Sequence, residues 1–194
     1  MNKRVFTLIA CLATTLSLYG YDDSTEGFYA GGLGGANWQP EDKQDNNQLK
    51  FKTGYVVGLF AGYKFGNPFR LEGEVSYRHN DFKKVKVLGI RRPIEGRVES
   101  ASFLANAIYD FEFTSSFTPY VGVGLGYTSE TLTATFANIP ELRIEGKDNG
   151  FSWQAIAGVS TPISCNTDLG VEYRYLNKKH EANHALALAV RRYF

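Results

Sequence analysis

Beyond its first two dozen residues the sequence has no apolar run long enough to cross a membrane as a helix. A spanning helix needs about 18 or more consecutive apolar residues, and the runs in this chain are shorter and interrupted. The other structure that crosses lipid is a closed barrel, in which every backbone polar group is paired between strands. Any membrane insertion of this chain is therefore predicted to be by a β-barrel.

The chain also has only two cysteines and almost no net charge. The two cysteines are Cys11 and Cys165; only Cys165, in a predicted turn, lies outside the leader described below, so a disulfide framework is excluded. Without Lys3 and Arg4 of that leader the chain has 19 basic and 20 acidic residues, a net charge of −1. Nucleic-acid binding favours a strongly basic chain, so this balance argues against a nucleic-acid partner.

The first residues have the layout of a secretory signal peptide. Lys3 and Arg4 precede an apolar run at residues 5–18, and small residues and the acidic pair Asp22 and Asp23 follow it. A charged, then an apolar, then a small-residue region is typical of a leader that is removed after export. The sequence therefore predicts a cleaved signal peptide at residues 1–20 and a single barrel domain at residues 21–194.

Twelve Tyr, fourteen Phe and twenty Gly against one Met is a composition typical of strands and tight turns. Residues 55–78 show the pattern best, because apolar residues occupy every second position on both sides of a turn at Gly66-Asn67-Pro68. A period of two indicates strand. The opposite face of the second run is ionic. The apolar faces could therefore meet a soluble core, with the charges in water, or lipid, with the charges in a barrel lumen.

The same alternation predicts eight strands, with connections that are alternately short and long. The strands are predicted at residues 27–38, 50–65, 69–78, 97–111, 118–128, 150–161, 167–176 and 182–194. The short connections lie near 66, 112–117 and 162–166, and the long ones near 39–49, 79–96 and 129–149. Short turns at one rim and long loops at the other are typical of a transmembrane barrel.

Aromatic residues cluster at both predicted rims, as the two interfaces of a membrane favour. Those near the short turns are Phe28, Tyr63, Phe65, Phe69, Tyr109, Phe111, Phe113, Phe117, Tyr120 and Phe194. Those near the long loops are Trp38, Phe51, Tyr77, Phe103, Tyr127, Phe151, Trp153 and Tyr175. A soluble barrel has no need of two such belts, so the pattern favours lipid.

Four segments together resemble the opacity-protein and OmpA-like family of outer-membrane barrels, the porin-type surface antigens. They are residues 27–32 (GFYAGG), 62–72 (GYKFGNPFRLE), 118–124 (TPYVGVG) and 172–175 (EYRY). The resemblance implies an all-β, eight-stranded antiparallel barrel in the outer membrane of a Gram-negative bacterium, with short periplasmic turns and longer extracellular loops. It implies partners among outer-membrane lipids and lipopolysaccharide. It also implies the role of an adhesin, a surface antigen or a small stabilising barrel.

The last predicted strand alternates apolar and small residues and stops on Phe194. A terminal aromatic after such a strand resembles the carboxy-terminal signal that the barrel-assembly machinery of outer-membrane proteins reads. Phe194 is therefore the predicted assembly signal.

A barrel of this kind would enclose an ionic group from the third and seventh predicted strands. Its members are Arg70, Glu72, Glu74, Arg78, Asp168, Glu172 and Arg174. Eight strands leave an interior barely wide enough for side chains. Arg70, Glu72 and Glu74 could therefore pair across the lumen with Glu172 and Arg174. Such a network could act as a structural plug or as an ion-paired gate.

Two apparent motifs are interpreted as structural. Residues 180–184 (HEANH) match a zinc-protease pattern that places two histidines on one face of a helix. Here the segment enters a strand, where residues four apart are about 13 Å from each other. The glycine-rich run at residues 122–126 lacks the helix of a dinucleotide site. We therefore expect no catalytic residue, metal or cofactor.

The connection at residues 79–97 is the predicted ligand-binding loop, because its net charge is +4 with histidine neutral. Its basic residues are Lys83, Lys84, Lys86, Arg91, Arg92 and Arg97, against Asp81 and Glu95. Such a segment could bind acidic host glycans or the phosphates of lipopolysaccharide. It could also be a solvated loop beside the anionic outer leaflet.

Three functional classes fit these observations. The first is a non-enzymatic outer-membrane surface protein, such as an adhesin, with a largely closed lumen. The second is a lipid-modifying enzyme of the lipid A deacylase type, which needs His, Ser and a carboxylate together on the lipid-facing wall; the outward His184 has no Ser two residues away. The third is a soluble lipocalin-like carrier, with the apolar faces inside.

Overall fold

The structure is a computed structural model. It describes residues 26–39, 53–82, 85–87, 90–92, 94–111, 117–136, 139–179 and 181–194. The predicted signal peptide at residues 1–20 lies outside the described residues. Within the described ranges, no helix has the length and apolar character to span a membrane.

The described chain contains ten strands. They are β1 Gly27–Trp38, β2 Gly54–Lys64, β3 Phe69–Phe82, β4 Val85–Val87, β5 Ile90–Arg92, β6 Ile94–Asp110, β7 Thr118–Phe136, β8 Ile139–Ser164, β9 Thr167–Lys178 and β10 Glu181–Tyr193. Eight of them close into an antiparallel barrel in the order β1-β10-β9-β8-β7-β6-β3-β2, and β4 and β5 form a separate hairpin. The predicted eight-stranded antiparallel barrel is confirmed.

The barrel closes through β1 and β10. Their pairing runs from Tyr29 opposite Tyr193 to Trp38 opposite His184. One residue further, the Phe194 amide donates to the Phe28 carbonyl oxygen at 3.0 Å. Every barrel strand therefore has two neighbours, and the barrel has no open edge at which another chain could pair.

Two predicted loop boundaries differ from the structure because strands continue beyond them. β7 and β8 stay paired through residues 129–149, with Thr131 opposite Lys147 and Thr133 opposite Glu145. β-Branched threonine at alternate positions of β7 favours this extended backbone. β3 and β6 likewise stay paired as far as Phe82. Much of the predicted loops at 79–96 and 129–149 is therefore strand.

Side chains alternate between a largely polar lumen and an apolar outer wall. On β3, Glu72 and Glu74 are buried inside, whereas Val75 is 50 % exposed on the outside. Other outward positions carry large apolar side chains, among them Val57, Leu59, Leu71, Val123, Leu125, Val171, Leu186 and Leu188. This is the arrangement of a membrane barrel. The lipocalin-like alternative, which needs the apolar faces inside, is wrong for this chain.

Outward aromatic side chains pack in pairs at both ends of the barrel. The short-turn rim is the end at which β2 turns into β3 and β8 turns into β9; there Phe28 packs against Tyr63, with ring centroids 4.8 Å apart. The loop rim is the opposite end, where Trp153 packs against Tyr175 at 5.3 Å. The two belts lie where the interfaces of a bilayer would be.

One predicted member of the short-turn belt lies elsewhere. Tyr120 is only 1 % exposed and points into the lumen, because on β7 it shares the inward face with Gly122 and Gly124. Phe51 and Phe113, also predicted in the belts, lie outside the described residues. An apolar cluster lines one side of the lumen, between β1, β2 and β10; its members are Tyr29, Leu33, Val56, Phe60, Ala185, Ala187 and Ala189.

Candidate functional site

The centre of the lumen is occupied by one arginine between three carboxylates. Arg174 on β9 contacts Glu74 on β3, its Nε donates to Glu172 at 2.7 Å, and its Nη2 lies 4.0 Å from Glu72. The side chains of all four are at most 1 % exposed. Ions removed from water in this way need partners for both signs of charge, and this group supplies them.

Two amide side chains complete the hydrogen bonding at this level. Asn106 on β6 donates from Nδ2 to Glu72 at 3.1 Å and to Glu74 at 2.9 Å. Gln154 on β8 donates from Nε2 to Glu74 at 2.8 Å and to the Asn106 side-chain oxygen at 2.7 Å. Together with Arg174 these contacts tie β3, β6, β8 and β9 together through the lumen.

Below this level, towards the short-turn rim, a second arginine pairs with the same group. Arg191 on β10 donates to Glu172 at 3.0 Å, and its guanidinium carbon lies 4.9 Å from the centre of the Tyr120 ring. The Tyr120 hydroxyl donates to Glu172 at 2.8 Å, and the Tyr29 hydroxyl donates to Glu72 at 3.2 Å. The ionic group is therefore continuous from β3 to β10.

The residues predicted for the lumen do not all contact one another. Glu72, Glu74, Glu172 and Arg174 meet at the centre. Arg70 does not reach Glu172 or Arg174; it pairs with Asp110 at 2.7 Å, because Asp110 lies on the adjacent strand β6.

The other two predicted lumen residues form no ion pair with this group, although the charge of Glu74 acts on Arg78. Arg78 donates to the hydroxyls of Ser76 and Ser102, and Asp168 is partly exposed near the short-turn rim; neither forms an ion pair with a described residue. Arg191 was missed by the sequence reasoning, although its place on the face opposite Leu188 and Val190 was a usable signal.

A separate ion-pair cluster lies at the loop rim, above the aromatic belt. Lys178 pairs with Glu130 at 2.6 Å and with Asp148 at 3.3 Å, and Lys179 pairs with Asp148 at 2.9 Å. The hydrogen bonds from Lys179 and Lys178 hold the pKa of Asp148 below its usual range. These contacts join the projecting part of β8 to the end of β9.

The predicted ligand-binding loop is described only in part. Lys83 and Lys84 lie outside the described residues. In the β4–β5 hairpin the backbone register pairs Lys86 with Arg91 and Val85 with Arg92. The hairpin therefore brings three of the predicted basic positions together in a short segment that follows β3.

The histidine of the zinc-protease pattern that the structure describes is on the outer wall. The His184 ring stacks on Trp38 with centroids 6.1 Å apart, and its Nδ1 is hydrogen-bonded to the Tyr173 hydroxyl. His180 lies outside the described residues. Over the described ranges no group of His, Cys, Asp and Glu is arranged to hold a metal ion.

Comparison with known proteins places this barrel among bacterial outer-membrane proteins. A 26 % identical relative from Gluconacetobacter diazotrophicus is named outer membrane protein, and the match covers 70 % of this chain and 38 % of that one. Outer membrane protein PagN of Salmonella typhimurium is 27 % identical over 62 % of this chain and 56 % of its own length. The match therefore spans about half or less of the length of these relatives.

Solved structures share the fold. Neisserial surface protein A superimposes with a TM-score of 0.62 at 21 % identity, over 87 % of this chain and 97 % of that one. Ail, the attachment invasion locus protein of Yersinia pestis, solved in complex with the heparin analogue sucrose octasulfate, gives 0.58 at 17 % identity, over 88 % of this chain and all of that one. The family model for the outer membrane protein beta-barrel domain matches residues 8–194. This chain therefore belongs to that family and is an outer-membrane β-barrel of the Gram-negative surface.

Proposed function

We propose that this chain is a non-enzymatic surface protein whose lumen is closed by its ion-pair network and whose basic segment at residues 79–97 contacts acidic ligands. The ligands we expect are sulfated or carboxylated host glycans and the phosphates of lipopolysaccharide. Insertion of the barrel would depend on the barrel-assembly machinery, with Phe194 as part of its signal. The observation that carries the closed lumen is the position of Arg174 between Glu74 and Glu172.

Support for a plug comes from geometry. The lumen of an eight-stranded barrel is filled by ordinary side chains. Here the side chains that extend into it and bond to the carboxylates of Glu72, Glu74 and Glu172 are those of Arg174, Arg191, Asn106 and Gln154. An ion crossing this level would have to displace paired, buried charges, which is costly. We therefore infer a structural plug and not an open pore.

Support for acidic ligands comes from charge. The segment at residues 79–97 carries six basic and two acidic residues, and three of its basic positions lie on a two-stranded hairpin. Such a concentration of one sign attracts polyanions and raises their rate of association. The fold is shared with Ail, which has been solved with a heparin analogue, and we extend that ligand class to this chain as part of the proposal.

The proposal excludes lipid A deacylase chemistry. Such an enzyme would need a nucleophile activated by an outward base. The outward His184 is instead bonded to the Tyr173 hydroxyl and stacked on Trp38, which suits an aromatic anchor at the membrane interface. Mass spectrometry of lipid A from cells with and without the protein should show no difference in acylation.

Planar-bilayer conductance tests the plug. We expect the wild type to give small currents, and Glu172→Ala to give larger or noisier ones, because Arg174 and Arg191 each lose a partner. Replacement of Lys83, Lys84 and Lys86 by Gln is the control and should leave the current unchanged. A large, steady wild-type pore would overturn the plug.

Binding to heparin-agarose tests the basic segment. The triple Lys83, Lys84 and Lys86 change to Gln should elute at lower salt than the wild type, because fewer cations contact the polymer. The matched control removes the same charge elsewhere, by replacing Lys43, Lys147 and Lys179 with Gln. Unchanged elution of the first variant, or an equal fall in both, would contradict a role for this segment.

A further inference from the structure

The loop-rim end of the lumen contains a small, partly open cavity, above the level of Arg174. Its volume is about 20 Å³, which is room for a single particle the size of a water molecule or a halide ion. The polar side chains that line it include Arg78, Ser100, Thr128, Glu130, Lys178 and Glu181. A tetrahedral oxyanion such as phosphate is too large for this space.

Arg78 is the unusual member of the lining. It is 2 % exposed, and its Nη1 donates to Ser76 at 3.1 Å and to Ser102 at 3.2 Å. Its Nε and Nη2 atoms are buried and have no hydrogen-bond partner among the described residues. These two nitrogens form the edge with which arginine binds anions in a bidentate manner.

The other charged groups that line the cavity form no ion pair with Arg78, and the counter-charge that acts on it is that of buried Glu74, deeper in the lumen. Glu130 is paired with Lys178 at 2.6 Å, and Lys178 also contacts Asp148 at 3.3 Å. Glu181 lies exposed at the rim. Within the described part of the chain, no carboxylate comes within 4.0 Å of Arg78, in contrast to Arg70, Arg174 and Arg191. A buried charge without a partner at ion-pair distance is costly, and a counter-ion in the adjoining space would lower that cost.

We propose that this cavity binds one chloride-sized anion beside the Arg78 guanidinium, with the Ser100 hydroxyl in the same lining as a further donor. The anion supplies a negative partner in direct contact with Arg78, as a carboxylate does for each of the other three lumen arginines. It also occupies the lumen above the Arg174 network, so that the plug has a second layer at the loop rim. The site is separate from the basic segment assigned to acidic ligands.

Chloride NMR line width tests the site on the whole barrel refolded in detergent micelles. We expect the wild type to broaden the chloride signal above a micelle blank, bromide to remove the extra broadening, and phosphate to leave it. Arg78→Gln should reduce the broadening to the blank. Arg192→Gln is the matched control, because Arg192 is an exposed arginine of β10 and lies outside the basic segment, and it should behave as the wild type.

If Arg78→Gln does not give a folded, heat-modifiable barrel, Ser100→Leu replaces it, since the larger side chain fills the cavity without removing a charge. Loss of the broadening in that variant supports the site, and wild-type broadening overturns it. The proposal is also overturned if the wild type shows no broadening above the blank, if Arg78→Gln and Arg192→Gln broaden equally, or if phosphate competes as well as bromide.

Discussion

Arg174 on β9 contacts Glu74 on β3 from the opposite side of the barrel, and the two residues are 100 positions apart in the chain. The strand order puts β9 four steps from β3 in either direction around the ring. The pair can therefore form only when both halves of the barrel wall have closed in the correct register. The ion pairs across the lumen therefore form only together with the closed barrel.

Replacement of Glu172 by Ala should destabilise the barrel strongly. Arg174 and Arg191 both lose a carboxylate in a buried site, and breaking a buried ion pair costs about 3–5 kcal/mol. Urea unfolding in lipid vesicles measures the change. Glu99→Ala is the control, because Glu99 lies on the outer face with a partly exposed side chain, where ion pairs contribute about 0–1 kcal/mol. Equal losses in the two variants would argue against an ionic network that stabilises the lumen.

Replacement of Val75 by Arg tests whether the outer face of the barrel is in contact with lipid. Val75 lies between Leu59 and Phe103 in the register and faces lipid, where arginine near the midplane costs about 2–4 kcal/mol. The free energy of unfolding in vesicles should fall by that amount. Val75→Leu keeps the wall apolar and should change it by less than about 1 kcal/mol. If the two variants are equally stable, position 75 does not face hydrocarbon.

Replacement of Phe194 by Ala should lower the yield of heat-modifiable protein in the outer membrane and leave export unaffected. The expectation rests on Phe194 as the assembly signal. Phe28→Ala is the control, because Phe28 is an outward aromatic of the same rim, 68 % exposed, and removes a similar apolar surface. Gel mobility of membrane fractions with and without boiling provides the measurement. Equal yields of the two variants would remove any special role of Phe194.

The carboxyl of Asp148 should titrate below the ordinary aspartate pKa of about 3.9, because Lys179 and Lys178 stabilise its charged form. Any stability from this pairing is present above the ordinary pKa and is lost as the pH falls through the lower, folded value. Carboxyl chemical shifts followed with pH measure it. Lys179→Gln should raise the pKa of Asp148 towards its ordinary range. Lys147→Gln is the control, because Lys147 is the neighbouring residue on β8 and is not one of the lysines that pair with Asp148, and it should leave the pKa unchanged. An unchanged pKa in Lys179→Gln would contradict the pairing.

The alternation of residues was sufficient to predict the barrel and the opposition of Glu72 and Glu74 to Glu172 and Arg174. Which carboxylate each arginine contacts was not predictable, because it depends on the stagger between strands; Arg70 pairs with Asp110 for that reason. The inward position of Tyr120 could have been read from its spacing to Gly122. The extension of β7 and β8 past the barrel wall depends on pairing between strands, which sequence spacing alone does not reveal.

Because β1 pairs with β10, the strands of this barrel form a continuous ring with no first or last member. The seam uses the same antiparallel hydrogen bonding as the other strand junctions, and at the short-turn rim Phe28 and Phe194 are joined by a backbone hydrogen bond. The order in which the strands occur along the polypeptide is therefore not itself required for closure. A circular permutant with residues 26 and 194 linked and a new opening at the loop rim would retain every strand neighbour of the present fold.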